Sequence, residues 1–324
     1  MAYTAGDTIL DDEYNAFATN STSPFGYNHF AGTGSTVYGL GETQLSAVSA
    51  GGTVLASQWN GLFTGMSTVA GHTGDTLTSR AAISSGDTIE IAAAVAADLS
   101  TLAASVAAGS PNTTATTTVS QQNTDSSSTW TGTFTTVFTV TFASANAMRH
   151  FFNAGGKVRV IPTRTGGGAD GGGTTGKDTA WTNLYAAVGN LDIGSVASSR
   201  SGSGETSNTD VLSSTGASDL GTSYTTLLEL ADDTYPYASN TIKIDAKMDT
   251  SAYGTATAMQ VRLTATDGAA DFTFSGSNLS GVNLQAYRNG THRHNLTTVD
   301  TTTGGGLANA HAPSGTATDG GTTT

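Results

Sequence analysis

The chain has 324 residues, with 12 Lys plus Arg against 25 Asp plus Glu, a formal net charge of -13, 41 Gly, 5 Pro and 0 Cys. The acidic balance argues against a phosphate-tracking surface, so nucleic acid is not an expected partner. The lack of cysteine excludes disulfide staples, thiolate catalysis and Cys-ligated zinc, leaving stability to packing or oligomerisation. Charged residues are only 11% of the chain, well below the roughly one quarter of an ordinary globular protein, so Thr, Ser and Asn supply most of the polar surface.

The opening MAYTAGDTILDDEYNAF is acidic and lacks both a basic n-region and a long apolar run, and reads as neither a secretory signal nor a membrane span. It has an internal echo. Ala5-Gly6-Asp7-Thr8-Ile9-Leu10 leads to Tyr14-Asn15, Ala50-Gly51-Gly52-Thr53-Val54-Leu55 leads to Trp59-Asn60, and a shorter third copy is Ser85-Gly86-Asp87-Thr88-Ile89. Each of the first two copies reads as a glycine turn and a short helix, capped by Asp12 or Ser57, with Tyr14 and Phe17, or Trp59 and Phe63, at helical spacing. Residues 1–78 are thus expected to be a helical section too small for its own core, which docks to a partner through Tyr14, Phe17, Trp59 and Phe63.

Residues 79–111 contain an Ala-rich helix with Val95, Leu99, Leu102 and Val106 at three- and four-residue steps, stopped by Gly109-Ser110-Pro111. Its Ala stripe suits ordinary packing or close pairing between identical subunits. The polar stretch 112–128 reads as a linker. An α+β unit is expected over 129–200. It opens with a strand carrying Trp130, Phe134, Phe138, Val140 and Phe142 on one face and threonines on the other. A Ser144-capped helix with Met148, Phe151 and Phe152, the strand Lys157–Ile161, a glycine-rich loop and a helix with Trp181, Leu184, Tyr185 and Val188 follow. From 201 to 300 alternation returns around Leu227, Leu228, Leu230, Ile242–Met248 and Met259–Ala265, with turn signals at Asp267-Gly268 and Asn289-Gly290. This favours an antiparallel β-sandwich. The tail 301–324 is too rich in Gly and Thr to fold alone, so a neighbouring subunit would have to order it. The fold class is mainly β with short helices (α+β): a small helical N-terminal section, a central α+β unit and a C-terminal antiparallel β-sandwich.

The chemistry-bearing motifs are few. Gly171–Asp178 approaches a phosphate-binding loop, but Asp178 stands where Ser or Thr would hold magnesium, and it reads instead as a helix N-cap. Asp232-Asp233 lacks further spaced oxygen ligands and reads as a solvated turn rather than a calcium site. His292 and His294, at i and i+2 of a strand, share a face and are the candidate metal ligands; a plain surface hairpin is the favoured reading. Basic residues Arg149, Lys157, Arg159, Arg164 and Lys177 gather in the central section, as ordinary solvated charge or as a surface for the acidic front. No catalytic residues, resident metal or cofactor are expected.

The segments TVFTVTFASANAMRHFFNAGGKVRVIPTRTGG, KDTAWTNLYAAVGNLDIG and YASNTIKIDAKMD, with AGDTILDDEYNAF and its echo AGGTVLASQWNGL, resemble virion structural proteins of tailed bacteriophages, of the marine contractile-tailed type. The likeness spans most of residues 1–265. It implies a place in the particle without assigning a reaction. Together with the low charge, the lack of cysteine and the segments that need neighbours, it leads to the expectation of a non-enzymatic virion component of tail, neck or attached fibre, a homo-oligomer that contacts other virion proteins, with no membrane and no nucleic acid among its partners. The alternative is a fibre or adhesin module that binds a host-surface glycan or receptor. A polysaccharide-cleaving spike would need paired carboxylates facing one groove, which the sequence does not display.

Overall fold

The structure is a computed structural model that describes residues 11–32, 39–87, 92–107, 117–124, 133–165, 176–211, 213–235, 237–269, 291–300 and 322–323. It is α+β, with helices and antiparallel sheets, and divides into two compact units. The first comprises Met1–Thr117, Ala143–Lys157 and Val299–Ala312; the second comprises Thr118–Phe142, Val158–Thr298 and Pro313–Thr324.

The first unit holds helices α1 (Asp11–Ala18), α2 (Tyr27–Phe30), α3 (Ala56–Thr73), α4 (Ala92–Ala107) and α5 (Ala145–Asn153). The echo in the sequence has a structural counterpart. Asn15 donates to the Val48 carbonyl and accepts from the Val48 N–H, both at 2.8 Å. Asn60 grips Ile83 in the same two-handed way at 2.9 Å. Val48 and Ile83 each stand just ahead of a turn whose glycine has positive φ, Gly51 at 72° and Gly86 at 93°. Each helical Asn therefore satisfies the backbone of an extended segment that would otherwise lack a partner. Thr19 and Thr64, one turn further on, donate back to the Asn15 and Asn60 carbonyls.

The helix starts differ from the expected caps. Helix α3 begins at Ala56, and the Gln58 side chain accepts the Leu55 N–H at 2.8 Å, so Ser57 lies within the first turn. Helix α3 is also 18 residues long rather than short. At Gly65 it passes the Tyr27 ring, where an added Cβ would meet the Tyr27 hydroxyl at 2.5 Å. In α4 the expected positions Val95, Leu99, Leu102 and Val106 are buried, and this face packs in the same unit as α1, α2 and α3. The boundary expected at residue 78 thus falls inside one unit. Helix α5 is capped as expected, Ser144 accepting from the Ala147 N–H at 3.1 Å. Its Asn153 donates to the Gly39 carbonyl at 3.0 Å.

The second unit contains a five-stranded sheet ordered β1 (Thr117–Thr124), β10 (Thr291–Asp300), β3 (Lys157–Thr165), β4 (Leu191–Ile193), β5 (Ser198–Arg200). A six-stranded antiparallel sheet is ordered β11 (Thr322–Thr323), β2 (Thr133–Thr141), β9 (Ala258–Thr266), β8 (Thr241–Met248), β7 (Thr225–Ala231), β6 (Thr206–Thr209). Its register stacks Phe134, Ala265, Ile242 and Leu230 in one row, and Phe138, Val261 and Ala246 in another. All of these are buried, each large apolar member being worth roughly 1.5–3 kcal/mol. The opposite face of β2 carries Thr133, Thr135 and Thr139 at intermediate exposure and Thr141 exposed, as expected, with Val137 among them, while Thr136 falls on the buried face. Helix α6 (Gly176–Val188) packs near β7 and β8, burying Trp181, Leu184, Tyr185 and Val188.

Three expectations are corrected by this topology. The supposed linker contains β1, whose composition TTVSQQNT offers β-branched residues but no apolar alternation to reveal it. Strand β2 pairs with β9, so residues 129–200 and 201–300 share a sheet. In the tail, Thr322 and Thr323 pair with Thr135 and Phe134 of the same chain, so these two residues need no neighbouring subunit.

Candidate functional site

The four residues expected to dock a partner come together within the chain. Tyr14 meets Trp59 edge-on at 5.7 Å, Phe17 lies 6.0 Å from Trp59, and Phe63 lies 5.9 Å from it. Tyr14 and Trp59 are each 1% exposed. They are core residues of the first unit, which corrects the expectation that a partner buries them; Phe17 and Phe63 stay half-buried at the surface. The guanidinium of Arg80 covers Phe63 at 5.3 Å and pairs with Asp98 of α4, which also accepts from the Thr78 N–H at 3.0 Å. This pairing ties the segment after α3 to α4.

The face of α4 opposite its buried row consists of Ala93, Ala96, Ala97, Ser100, Thr101 and Ala104, all exposed. Their spacing of three and four residues makes one smooth, uncharged stripe along the helix.

In the second unit, the threonine face of the six-stranded sheet carries a polar cluster. Asp245 is 1% exposed. Its Oδ2 accepts from Arg262 Nε and Nη2 at 2.9 and 2.5 Å, and its Oδ1 accepts from the Thr226 hydroxyl at 2.8 Å. Lys243 adds a charge at 3.8 Å. Arg262 lies 3.9 Å from the Tyr224 ring centroid and Lys247 4.6 Å from it, and the Tyr224 hydroxyl donates to Gln260 at 3.1 Å. Other cations are likewise matched inside the chain: Arg159 grips Asp192 at 2.6 and 2.8 Å, and Arg200 lies 3.4 Å from Asp210. These pairs account for Arg159 without a docking partner.

The pairing of β6 with β7 brings Glu205 to Asp232 and Asp233, where one carboxylate oxygen of each lies within 4.8 Å of the others. Glu205 accepts from the Asp233 N–H at 2.8 Å, and Asp232 Oδ1 accepts from the Thr234 N–H at 2.7 Å. Burial raises the Asp232 carboxyl above its ordinary range, and the Asp233 charge adds to the rise. Burial likewise raises Glu205, helped by the charges of Asp232 and Asp233. The two adjacent aspartates therefore belong to a three-carboxylate group rather than to a plain solvated turn. Glu205 gave no sequence signal, being joined to them only by strand register.

A raised folded-state carboxyl pKa costs stability when the group is ionised, and the cost is relieved as pH falls through the folded pKa toward the unfolded one. In chelator-containing buffer, Asp232→Asn is therefore expected to exceed the wild type in stability at neutral pH. The gap should narrow on acidification toward about pH 4, where the ordinary carboxyl titrates. Thermal unfolding of both proteins across that range checks this; a gap independent of pH would contradict it.

His292 and His294 lie on β10, but their side chains are outside the described residues. Of the phosphate-loop-like segment, residues 171–175 are also outside. Helix α6 starts at Gly176, so Asp178 sits in its first turn rather than at the cap. Between β3 and α6 there is a cavity of about 280 Å³ lined by Ile161, Pro162, Thr182, Tyr185, Ala186, Gly189 and Asn190. Its lining offers no carboxylate, imidazole or amine for acid–base chemistry. No described helix is long and apolar enough to cross a membrane. No protein-family model, curated protein or solved structure matches the chain.

Proposed function

We propose that the chain is a non-enzymatic structural subunit of a phage virion, placed in the tail, neck or an attached fibre, and that it self-associates. The observation that carries the self-association is the outer face of α4: Ala93, Ala96, Ala97, Ser100, Thr101 and Ala104 form an exposed stripe without charge on a helix whose other face is already buried. Small side chains let two backbones approach closely, and no charged group has to be desolvated along that line. The resemblance to virion structural proteins supplies the setting, and the low charge and Thr-rich sheet face agree with it. Contacts with other virion proteins belong to the same reading.

The test places a charge on the stripe. Ala97→Glu combined with Ala104→Glu is expected to weaken association at least tenfold in sedimentation equilibrium while leaving the far-ultraviolet circular dichroism unchanged. Both substitutions sit at exposed positions of a helix and use a good helix former, so the fold should tolerate them. A wild-type chain that stays monomeric at every concentration, or a double variant that associates as tightly, would refute the reading.

A further inference from the structure

The three-carboxylate group of Glu205, Asp232 and Asp233 has an unmet requirement. Asp232 is 1% exposed, and its Oδ2 is buried without any hydrogen-bond partner, while Oδ1 is occupied by the Thr234 N–H. A buried anionic oxygen without a donor is costly. Among the described ion pairs, none brings a Lys or Arg to any of the three carboxylates. One carboxylate oxygen of each lies within 4.8 Å of the others, so a small inward movement of the side chains brings all three to a calcium–oxygen distance of roughly 2.4 Å from one ion.

The geometry points to a binding site for a hard divalent cation of the calcium class, held by Glu205, Asp232 and Asp233 with water completing the shell. The donors are all oxygen, with no imidazole or thiolate, which disfavours zinc or copper. Irregular loop carboxylates suit the variable coordination of calcium better than the strict octahedron of magnesium. A bound ion would neutralise the Asp232 carboxylate and fasten the segment before β6 to the loop after β7. That loop carries Tyr235, which is 90% exposed. The site is independent of the virion reading, since it rests on side chains of the second unit alone.

The experiment uses the full chain after chelator treatment. Added calcium is expected to raise the unfolding temperature by about 4 °C or more. Terbium should give luminescence sensitised by Tyr237, whose hydroxyl senses the Asp232 charge, and calcium should displace it. Asp232→Asn and Glu205→Gln should each weaken calcium binding at least tenfold; Glu205→Gln, at a more exposed position, serves if the first variant folds poorly. An unfolding temperature indifferent to calcium, with no terbium signal that calcium displaces, would overturn the site. So would variants that bind calcium as tightly as the wild type.

Discussion

Replacing Trp59 with Ala is expected to destabilise the first unit by about 3–5 kcal/mol, the range for emptying a large aromatic site in a core. The residue is 1% exposed and its ring contacts Tyr14, Phe17 and Phe63, so truncation opens a cavity at the junction of α1 and α3. The indole Nε1 is buried without a hydrogen-bond partner. Trp59→Phe should therefore cost far less than Trp59→Ala, because it keeps most of the ring contact and removes a polar group that gains nothing from burial. Chemical denaturation followed by circular dichroism separates the two. If Trp59→Ala left stability unchanged and weakened only attachment to a partner, Trp59 would be a docking anchor rather than a core residue.

The second large effect is expected at Arg262. Its fork satisfies Asp245 Oδ2, and Asp245 is 1% exposed. Arg262→Ala leaves a buried carboxylate with the Thr226 hydroxyl and a single ammonium at 3.8 Å. Breaking such a pair from one side costs about 3 kcal/mol, because the remaining charge stays desolvated. Arg262→Lys should fall between, since an ammonium cannot reproduce the two-nitrogen grip on Asp245. Replacing both partners, as Arg262→Met with Asp245→Leu, should recover most of the loss. Denaturant midpoints for the four proteins decide this; a double variant no better than Arg262→Ala would show that the cluster acts through something other than charge pairing.

Local patterns in the sequence translated faithfully where one element meets its core through its own periodicity. The buried row Val95, Leu99, Leu102 and Val106 of α4, the Ser144 cap and the alternation of β2 are all of this kind. What escaped depends on partners distant in sequence. Helix α3 continues through Gly61, Gly65 and Gly71, residues that weaken an isolated helix, and Gly65 is required there because Tyr27 of α2 occupies the space of a side chain. Strand β1 has no apolar face to alternate. Glu205 joins Asp232 and Asp233 only because Thr206 pairs with Ala231, and no local spacing encodes that register. The expected docking aromatics illustrate the same point, since whether a half-apolar helix buries its face internally or on a partner depends on the cover available, and α3 and α4 belong to the same unit as α1.

The proposed placement of the chain in a virion is tested most directly by immunogold labelling of intact phage particles from a producing lysate, using an antibody against this chain. Regular labelling confined to the tail, neck or an attached fibre is expected on every particle. Label found only on soluble protein, with particles bare after purification and after mild disruption that exposes internal faces, would contradict it.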